Sequence, residues 1–304
     1  MTLLVIGASG LLGGNAVAAA RGRGERVRGT YRTADPADGP CGAFHEGVET
    51  VRFDVAGGAD VDLPSLLEGV DRVLDCAATT DVDACEADPG RARTVNAEWP
   101  GRLAAACAER GLPLCHVSTD YVFDGRDPPY AEGDEPNPLQ VYGRTKLAGE
   151  RAVREAGGGE WEPLVLRPSF LWGVDRTTGA LAGVPAWVAG ELRAGGSVPL
   201  FEDQRVTPTR AGGAAGVALD LLDAGRTGTY HVAARDCVTP LELGRLVAER
   251  VDGDGRIERA SMADLDRPAA RPAATCLDVS RVERDLGREQ PTLGAALDAV
   301  GPAL

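Results

Sequence analysis

The sequence predicts an α/β protein, with a Rossmann-type, doubly wound parallel sheet and a smaller C-terminal lobe that binds the substrate. The chain opens with an apolar run, Thr2–Ile6, that leads directly into a glycine-rich turn and a helix of small residues. Apolar segments of strand length then alternate with helical stretches, which is typical of a parallel sheet with helices on both faces. Beyond about residue 175 strands become fewer and helices lie between loops, which indicates a second, smaller unit.

The predicted strands are short runs of mainly apolar and β-branched residues, each followed by a turn or a helical stretch. They are Thr2–Ile6, Arg26–Tyr31, Thr50–Asp54, Arg72–Cys76, Leu114–Ser118 and Leu164–Leu166, with Thr229–Ala233 expected to return to the sheet. Residues 34–49 are polar and rich in glycine and proline, and this composition predicts a loop.

Helices are predicted where small and apolar residues recur at helical spacing. They are Ala16–Ala20, Pro89–Arg110, a stretch from Tyr142 towards Arg154, Ala186–Ala194, Ala214–Leu222 and Leu241–Arg250. We therefore expect a main domain, built on the parallel sheet, over residues 1–168, to which roughly residues 200–233 return, and a smaller lobe from residues 169–199 and 234–304.

The first turn carries glycines at three spaced positions, Gly7, Gly10 and Gly13. Such glycines allow a tight turn, a close approach of the backbone to a pyrophosphate, and close packing of the helix on the strand. The helix that follows offers free N–H groups and a positive dipole end to the phosphates. Because the turn stands directly between a strand and a helix, it indicates a dinucleotide cofactor rather than an ordinary glycine-rich turn.

The end of the second strand bears on which dinucleotide is bound. An acidic residue there binds the adenosine ribose hydroxyls of NAD, and an arginine nearby suits the 2′-phosphate of NADP. Here the strand ends Thr30-Tyr31-Arg32-Thr33, without an acid. Arg32 therefore predicts NADPH, with NADH as an alternative and an exposed loop arginine as the plainer interpretation.

The third and fourth strands end in residues that are expected to lie along the cofactor. Asp54 and Val55 should lie near the adenine. Ala77, Ala78 and Thr79 are small enough to let the backbone pass against the ribose and nicotinamide, although alanines in such positions also serve ordinary tight packing.

Tyr142 and Lys146 are spaced four residues apart, so they share one face of a helix. Lys146 is the only lysine of the 304 residues, which suggests that this position requires an ammonium group. A positive charge within ~4–6 Å lowers the pKa of a phenol. The pair therefore predicts a tyrosine that exchanges a proton near neutral pH, as general acid–base catalysis requires.

The overall charge and the scattered cysteines exclude several classes of protein. A net charge of −14 argues against binding to nucleic acid or to an anionic membrane surface. The seven cysteines are odd in number and form no CxxC pair, so neither a disulfide framework nor a zinc site is predicted. His45, His116 and His231 lie far apart, and no metal is expected. The N-terminus is interpreted as a strand rather than a signal peptide, which predicts a cytoplasmic protein.

Three motifs together resemble the extended short-chain dehydrogenase/reductase family, and within it the dTDP-4-dehydrorhamnose reductase branch. They are the glycine turn at residues 7–13, the string STDYVFDG at residues 118–125 and the tyrosine–lysine pair at residues 142–146. Asp203-Gln204 with Thr207-Pro208-Thr209, and Arg271-Pro272 with Leu277-Asp278, resemble two further elements of that branch. The resemblance covers about residues 2–298.

The resemblance implies roles for individual residues. Thr119, Tyr142 and Lys146 would form the catalytic set, and Gly10, Leu11 and Leu12 would contact the cofactor phosphates. Thr119 and Asp120 would meet the sugar, and Gln204 would belong to a loop that closes over it. Phe170 stands where many members have a tryptophan that packs on the substrate, while Val206 and Gly212 replace a common glycine and aspartate.

The family implies NADPH-dependent reduction of the 4-keto group of a nucleotide sugar, with dTDP-4-dehydro-L-rhamnose as the leading substrate. An epimerase or dehydratase of the same family is an alternative, although those enzymes usually favour NAD. A regulatory protein similar to the regulatory subunit of methionine adenosyltransferase is another. A homodimer is compatible with the sequence. The acidic, lysine-poor composition suggests adaptation to concentrated salt, and a GC-rich genome, which replaces lysine by arginine, is the alternative explanation.

Overall fold

The chain folds around a seven-stranded sheet in which every neighbouring pair of strands is parallel. A computed structural model describes residues 1–40, 44, 47–57 and 62–304, with only the backbone of residue 302. Cys41 and His45 lie outside the described residues. The sheet strands are β1 Thr2–Ile6, β2 Arg26–Tyr31, β3 Val48–Arg52, β4 Arg72–Asp75, β5 Leu114–Val117, β6 Leu164–Pro168 and β11 Gly228–Val232.

The order of the strands across the sheet is β3-β2-β1-β4-β5-β6-β11. The order reverses between β1 and β4, and in open α/β sheets a ligand binds at this switch point, beyond the carboxyl ends of the strands. The predicted Rossmann-type sheet is confirmed, including the return of the strand near residue 230. The third strand begins two residues earlier than the sequence predicts.

Helices cover the sheet and fill the smaller part of the molecule. They are α1 Leu11–Gly22, α2 Leu63–Leu66, α3 Val82–Ala87, α4 Pro89–Arg93, α5 Trp99–Ala108, α6 Val141–Glu155, α7 Val184–Arg193, α8 Ala211–Asp223, α9 Pro240–Ala248, α10 Ser280–Leu286 and α11 Leu293–Asp298. The long helix predicted over Pro89–Arg110 is interrupted by a π-helical turn at Thr94–Glu98. Pro100 has no N–H to donate to the carbonyl of Asn96, which gives a physical reason for the interruption.

Outside the sheet, strands β7 Leu171–Val174, β8 Leu181–Ala182 and β10 Thr209–Arg210 form a small sheet, and β9 Ser197–Phe201 pairs with β12 Arg256–Ala260 in parallel. A separate cluster of buried apolar side chains lies here, drawn from residues 172 to 304. We propose that this cluster is the core of the substrate-binding lobe.

Cys237 and Cys276 form a disulfide, with their Cα atoms 5.5 Å apart. The expectation that the cysteines remain unpaired is therefore wrong for this pair. The two cysteines are 39 residues apart in the sequence, so local spacing gave no sign of the bond. The segments that carry the two cysteines lie against the same loop, because Val238 pairs with Val206 and Ala274 pairs with Arg205. Cys76, Cys85, Cys107 and Cys115 are free thiols.

Within the described ranges, none of the helices has the length and apolar character needed to cross a membrane.

Candidate active site

The glycine-rich turn brings β1, α1 and the end of β4 into close contact. Gly7 has a φ of +77°, and a Cβ atom on it would lie 3.1 Å from the Cα of Ala77. A Cβ atom on Gly13 would lie only 2.2 Å from the carbonyl oxygen of Gly7. Any larger residue at position 13 would push the helix away from the turn. The turn therefore has the close packing that the sequence predicts for a dinucleotide site.

A cavity of about 320 Å³ opens at the switch point of the sheet. Eight of the predicted cofactor residues line it, namely Gly7, Gly10, Arg32, Asp54, Val55, Ala77, Ala78 and Thr79. Leu11, Leu12 and Gly13 do not line it. Leu12 and Gly13 are buried within α1, and Leu11 packs against the core beneath the sheet.

Basic side chains lie where the second and third strands end. Arg32 is exposed at the edge of the cavity, and its carbonyl accepts a hydrogen bond from Nε of Arg52 at 3.3 Å. The nearby acid, Asp35, accepts hydrogen bonds from the hydroxyl of Thr50 at 3.0 Å and from the N–H of Ala37 at 2.9 Å. The carboxylate of Asp35 is thus already occupied by hydrogen bonds within the protein. This edge of the cavity therefore suits a phosphate better than two ribose hydroxyls.

Helix α6 carries the tyrosine and the lysine into the interior. Tyr142 is 8% exposed and Lys146 is 1% exposed. The helix can approach this closely because position 143 is glycine. A Cβ atom there would lie 2.1 Å from the carbonyl oxygen of Tyr121. The ring of Tyr121 meets that of Tyr142 edge-on, with centroids 6.1 Å apart.

Burial raises the pKa of Tyr142 well above its ordinary value, and a hydrogen bond with Thr119 acts in the opposite direction. The lowered pKa that the tyrosine–lysine spacing predicts is therefore wrong, because the pKa is raised and burial is the largest cause. The ammonium of Lys146 donates to the carbonyl of Val117 at 2.6 Å. A phenol with a raised pKa stays protonated at neutral pH, so Tyr142 is suited to donate a proton rather than to accept one.

Asp120 lies directly behind Thr119 and is 3% exposed. Its carboxylate accepts hydrogen bonds from the hydroxyls of Thr119 at 3.1 Å, Ser169 at 2.7 Å and Thr275. Burial raises the pKa of Asp120 to about 6, against the effect of these hydroxyls. Since Thr119 gives its single proton to Asp120, it accepts the hydrogen bond that it shares with Tyr142.

Lys146 also lies near a second buried carboxylate, that of Asp75, with His116 between them. Nζ of Lys146 lies 3.5 Å from Nε2 of His116, and Nδ1 of His116 lies 2.9 Å from the carboxylate of Asp75. Both His116 and Asp75 are fully buried. Burial lowers the pKa of Lys146 and that of His116, and Asp75 opposes the shift in each case.

A larger cavity, of about 720 Å³, is lined in part by Tyr121. Phe170 and Gln204 line it, and Nε2 of Gln204 lies 3.5 Å from the hydroxyl of Tyr121. Phe170 has a φ of 48°, which is unusual for a residue with a side chain and is typical of functional sites. Three arginines also line the cavity, namely Arg259, Arg267 and Arg271.

The RmlD substrate binding domain family matches the chain over residues 1–301. The chain belongs to this family. The similarity to relatives extends over most of this chain. The chain is 49% identical over 306 residues to the "Probable low-salt glycan biosynthesis reductase Agl14" of Haloferax volcanii, with 98% of each chain covered.

One further relative and one solved structure are similar to this chain. The dTDP-4-dehydrorhamnose reductase of Mycobacterium tuberculosis (strain H37Rv) is 39% identical over 230 residues, which are 72% of this chain and 73% of that one. A solved structure of dTDP-4-dehydrorhamnose reductase from Bacillus anthracis, in complex with NADP, has the same fold, with a TM-score of 0.77. It is 23% identical and covers 100% of this chain and 99% of that chain. As a member of this family, with relatives that include named reductases, the chain is an NAD(P)H-dependent oxidoreductase.

In this RmlD family member the structure gathers the predicted residues into two groups. Thr119, Asp120 and Tyr142 lie together, Lys146 follows Tyr142 by one turn of α6, and Phe170 and Gln204 line the larger cavity. Arg32 and Asp54 lie at the other cavity, with the cofactor residues. Among the described residues, no group of three or more histidines, cysteines, aspartates or glutamates is placed to hold a metal ion.

The sequence interpretation did not select Asp75, His116, Tyr121 or Arg52 as site residues. A usable signal existed for Asp75, because an acid at the carboxyl end of a parallel strand lies at the edge where ligands bind. Tyr121 belongs to the string that carried the family resemblance. His116 gave no such signal, since a lone histidine in an apolar strand is more often a packed core residue.

Proposed function

We propose that this protein uses NADPH to reduce a keto group on a nucleotide-linked sugar, with dTDP-4-dehydro-L-rhamnose as the first substrate to test. The observation that carries the proposal is the place of Tyr142 and Lys146 between the two cavities. Tyr121, which lines the larger cavity, packs on Tyr142. Cys76, which lines the smaller cavity, lies within electrostatic range of Lys146.

The residues of the smaller cavity fit a dinucleotide. The turn at Gly7 and Gly13 is packed so closely that it admits only glycine at these positions, and Arg32 and Arg52 offer positive charge at the far end. When bound, NADPH supplies the hydride. Gly10 and the start of α1 would hold the phosphates, while Ala77 and Thr79 would lie along the nicotinamide side.

The chain itself supplies orientation and one proton. In this proposal the hydroxyl of Tyr142 donates its proton to the ketone oxygen of the sugar. Lys146 stabilises the phenolate that remains, and Thr119, as the acceptor of its hydrogen bond with Tyr142, holds the hydroxyl of Tyr142 in position. Asp120 holds Thr119 in place through the 3.1 Å hydrogen bond between them.

The larger cavity supports a nucleotide sugar as the substrate. Its lining combines apolar and aromatic side chains with arginines, as a base, a sugar and a diphosphate together require. Arg267 stacks on the ring of Phe201, with its guanidinium 4.7 Å from the ring centroid. The relative named for glycan biosynthesis makes a different keto sugar the main competing substrate.

The test is the oxidation of NADPH, followed by absorbance, with dTDP-4-dehydrorhamnose made in situ from dTDP-glucose. The comparison is the Tyr142→Phe variant, which keeps the ring and removes only the hydroxyl. We expect turnover to fall by about 100-fold or more, because general acid catalysis of this kind contributes that much. Binding of NADPH should be retained.

Exchange of NADPH for NADH in the same assay tests the cofactor preference that Arg32 predicts. Absence of turnover in a folded protein that binds NADPH would contradict this substrate and direct the search to other keto sugars. A tightly retained cofactor with no net oxidation would favour an epimerase or dehydratase instead. A cytoplasmic location and a homodimer remain predictions, and the disulfide is more typical of an oxidising compartment.

A further inference from the structure

Lys146 is a buried ammonium group without a direct counter-ion. Its side chain is 1% exposed, and in the described part of the chain it forms no ion pair with a carboxylate. Its contacts are the carbonyl of Val117 at 2.6 Å and Nε2 of His116 at 3.5 Å. An unpaired charge in the interior is costly, so the group would lose its proton unless another charge compensates for it.

Glu150 lies one helical turn further along α6, but it is not available to balance the charge of Lys146. Its carboxylate accepts from Arg167 through both oxygens, at 2.8 and 2.7 Å, from Arg154 at 3.0 Å and from the hydroxyl of Ser118 at 2.5 Å. Two guanidinium groups already balance this carboxylate.

Asp75 is, conversely, a buried carboxylate with no cation in direct contact among the described residues. Its hydrogen-bond partners are neutral donors, namely the indole N–H of Trp99 at 3.3 Å, the N–H of Ala77 at 3.3 Å and Nδ1 of His116 at 2.9 Å. The interior at the ends of β4 and β5 thus holds one negative and one positive group, with an imidazole between them.

The imidazole has a defined orientation. A carboxylate only accepts hydrogen bonds, so Nδ1 of His116 carries the proton and Nε2 is left as an acceptor that faces Lys146. The pKa of His116 is lowered by burial and by Lys146, which keeps the ring neutral. The thiols of Cys76 and Cys115 also lie close by, and burial raises the pKa of both, so they add no charge.

We propose that Asp75 is the counter-charge of Lys146 and acts through His116, so that the lysine keeps its proton in the interior. Asp75 and His116 are then positioning residues of the site, and Lys146 is the group that they support. The importance of the triad for catalysis rests on the proposed function, but its charge balance is a property of the protein alone.

The composition of the chain allows a direct test, because Lys146 is the only lysine. Protein that contains lysine labelled with ¹³C at Cε gives a single side-chain resonance, whose titration reports the protonation of Nζ. The experiment uses the whole chain without cofactor or substrate. It compares the wild type with Asp75→Asn, over a range from about pH 6 to about pH 11, which spans the ordinary lysine pKa.

We expect the titration midpoint of Asp75→Asn to lie at least about one pH unit below that of the wild type, because an opposite charge has been removed. The matched control is Asp71→Asn, which removes an exposed carboxylate next to the other end of β4 and should leave the midpoint unchanged. An unchanged midpoint in folded Asp75→Asn would overturn the proposal.

A second variant keeps the test decisive if Asp75→Asn does not fold. His116→Gln leaves both charges in place and removes the ring between them, and we again expect a lower midpoint. A midpoint equal to that of the wild type would contradict the proposed role of His116. In the turnover assay, loss of activity at high pH should begin at a lower pH in both variants. Because the titration needs no turnover, failure of the proposed reaction and failure of the triad remain distinguishable.

Discussion

Lys146 shows how much one side chain determines at the residue scale. Lysine occurs once in the chain, with arginine at 31 other positions, and the one ammonium side chain is 1% exposed. A guanidinium is planar and donates in a fixed fork, whereas an ammonium is compact and donates in three directions. Nζ of Lys146 contacts both the carbonyl of Val117 and the ring of His116, and a compact ammonium group is suited to making these two contacts at once.

Lys146→Arg is therefore expected to lower turnover by at least about 100-fold while the protein still folds. The measurement is steady-state turnover of NADPH beside circular dichroism of the same preparation. Arg144→Lys is the matched control, since residue 144 is exposed on the same helix, and it should retain normal activity. Near-normal turnover of Lys146→Arg would show that the site does not require the compact ammonium group.

Glu150 makes a contribution to stability that depends on pH. Hydrogen bonds and charge from Arg167, together with Ser118, outweigh burial and lower the pKa of Glu150 to about 2. In the unfolded chain a glutamate titrates near ~4.3. The folded pKa is the lower of the two, so the stabilisation is fully present above ~4.3 and is lost as the pH falls towards about 2.

Glu150→Gln should lower the free energy of unfolding at neutral pH by about 3 kcal/mol, because it leaves Arg167 buried without its partner. The loss should shrink as the pH is lowered from ~4.3. Chemical denaturation at several pH values measures both effects. Glu155→Gln, at the exposed end of α6, serves as the control and should change stability little. A similar loss in both variants would show that the effect does not come from the buried ion pair.

At the scale of elements, the position of α1 depends on the contact between Gly13 and the carbonyl of Gly7. Gly13→Ala should lower the free energy of unfolding by about 2 kcal/mol, because the added methyl group overpacks the turn. It should also weaken NADPH binding. Gly22→Ala, at the end of the same helix with open space around it, should be neutral or slightly stabilising. Thermal melting and NADPH titration of the two variants test this, and equal melting temperatures would contradict it.

The elements differ in how far the sequence predicts them. The inner strands β1, β4, β5 and β6 are buried at every residue, and β1 and β2 have the bounds that were predicted. Strand β12 is an alternating charged segment with no buried residue, and its pairing with β9 was not predicted. Local pattern carries no information about that partner, nor about the disulfide, because both depend on contacts between distant segments.

The sequence predicted those residues of the site that stand at strand ends or at helical spacing. Tyr142 and Lys146 share a helix face, and Arg32 and Asp54 follow strands. The direction of the pKa of Tyr142 was not predictable, because it depends on the depth of burial rather than on the neighbour four residues away. The association of Asp75 with His116 depends on the pairing of β4 with β5, which joins residues 41 apart in the sequence.

At the scale of the whole molecule, the net charge of −14 opposes the compact state through self-repulsion. Salt screens such repulsion, and the sequence suggests adaptation to concentrated salt. We expect the melting temperature and the turnover to rise when KCl is added to molar concentration. Choline chloride at the same ionic strength is the control for a specific effect of potassium. Indifference of both quantities to salt would refute the adaptation.

The burial of Lys146 in the middle of α6 has a practical consequence for following the unfolding of this protein. A protease that cuts only after lysine finds one bond in the whole chain, and in the folded state that bond lies in a helix whose lysine is 1% exposed. Cleavage therefore requires α6 to open, and it yields two fragments, residues 1–146 and 147–304. The rate at which these fragments appear reports the opening of the helix that carries the proposed proton donor.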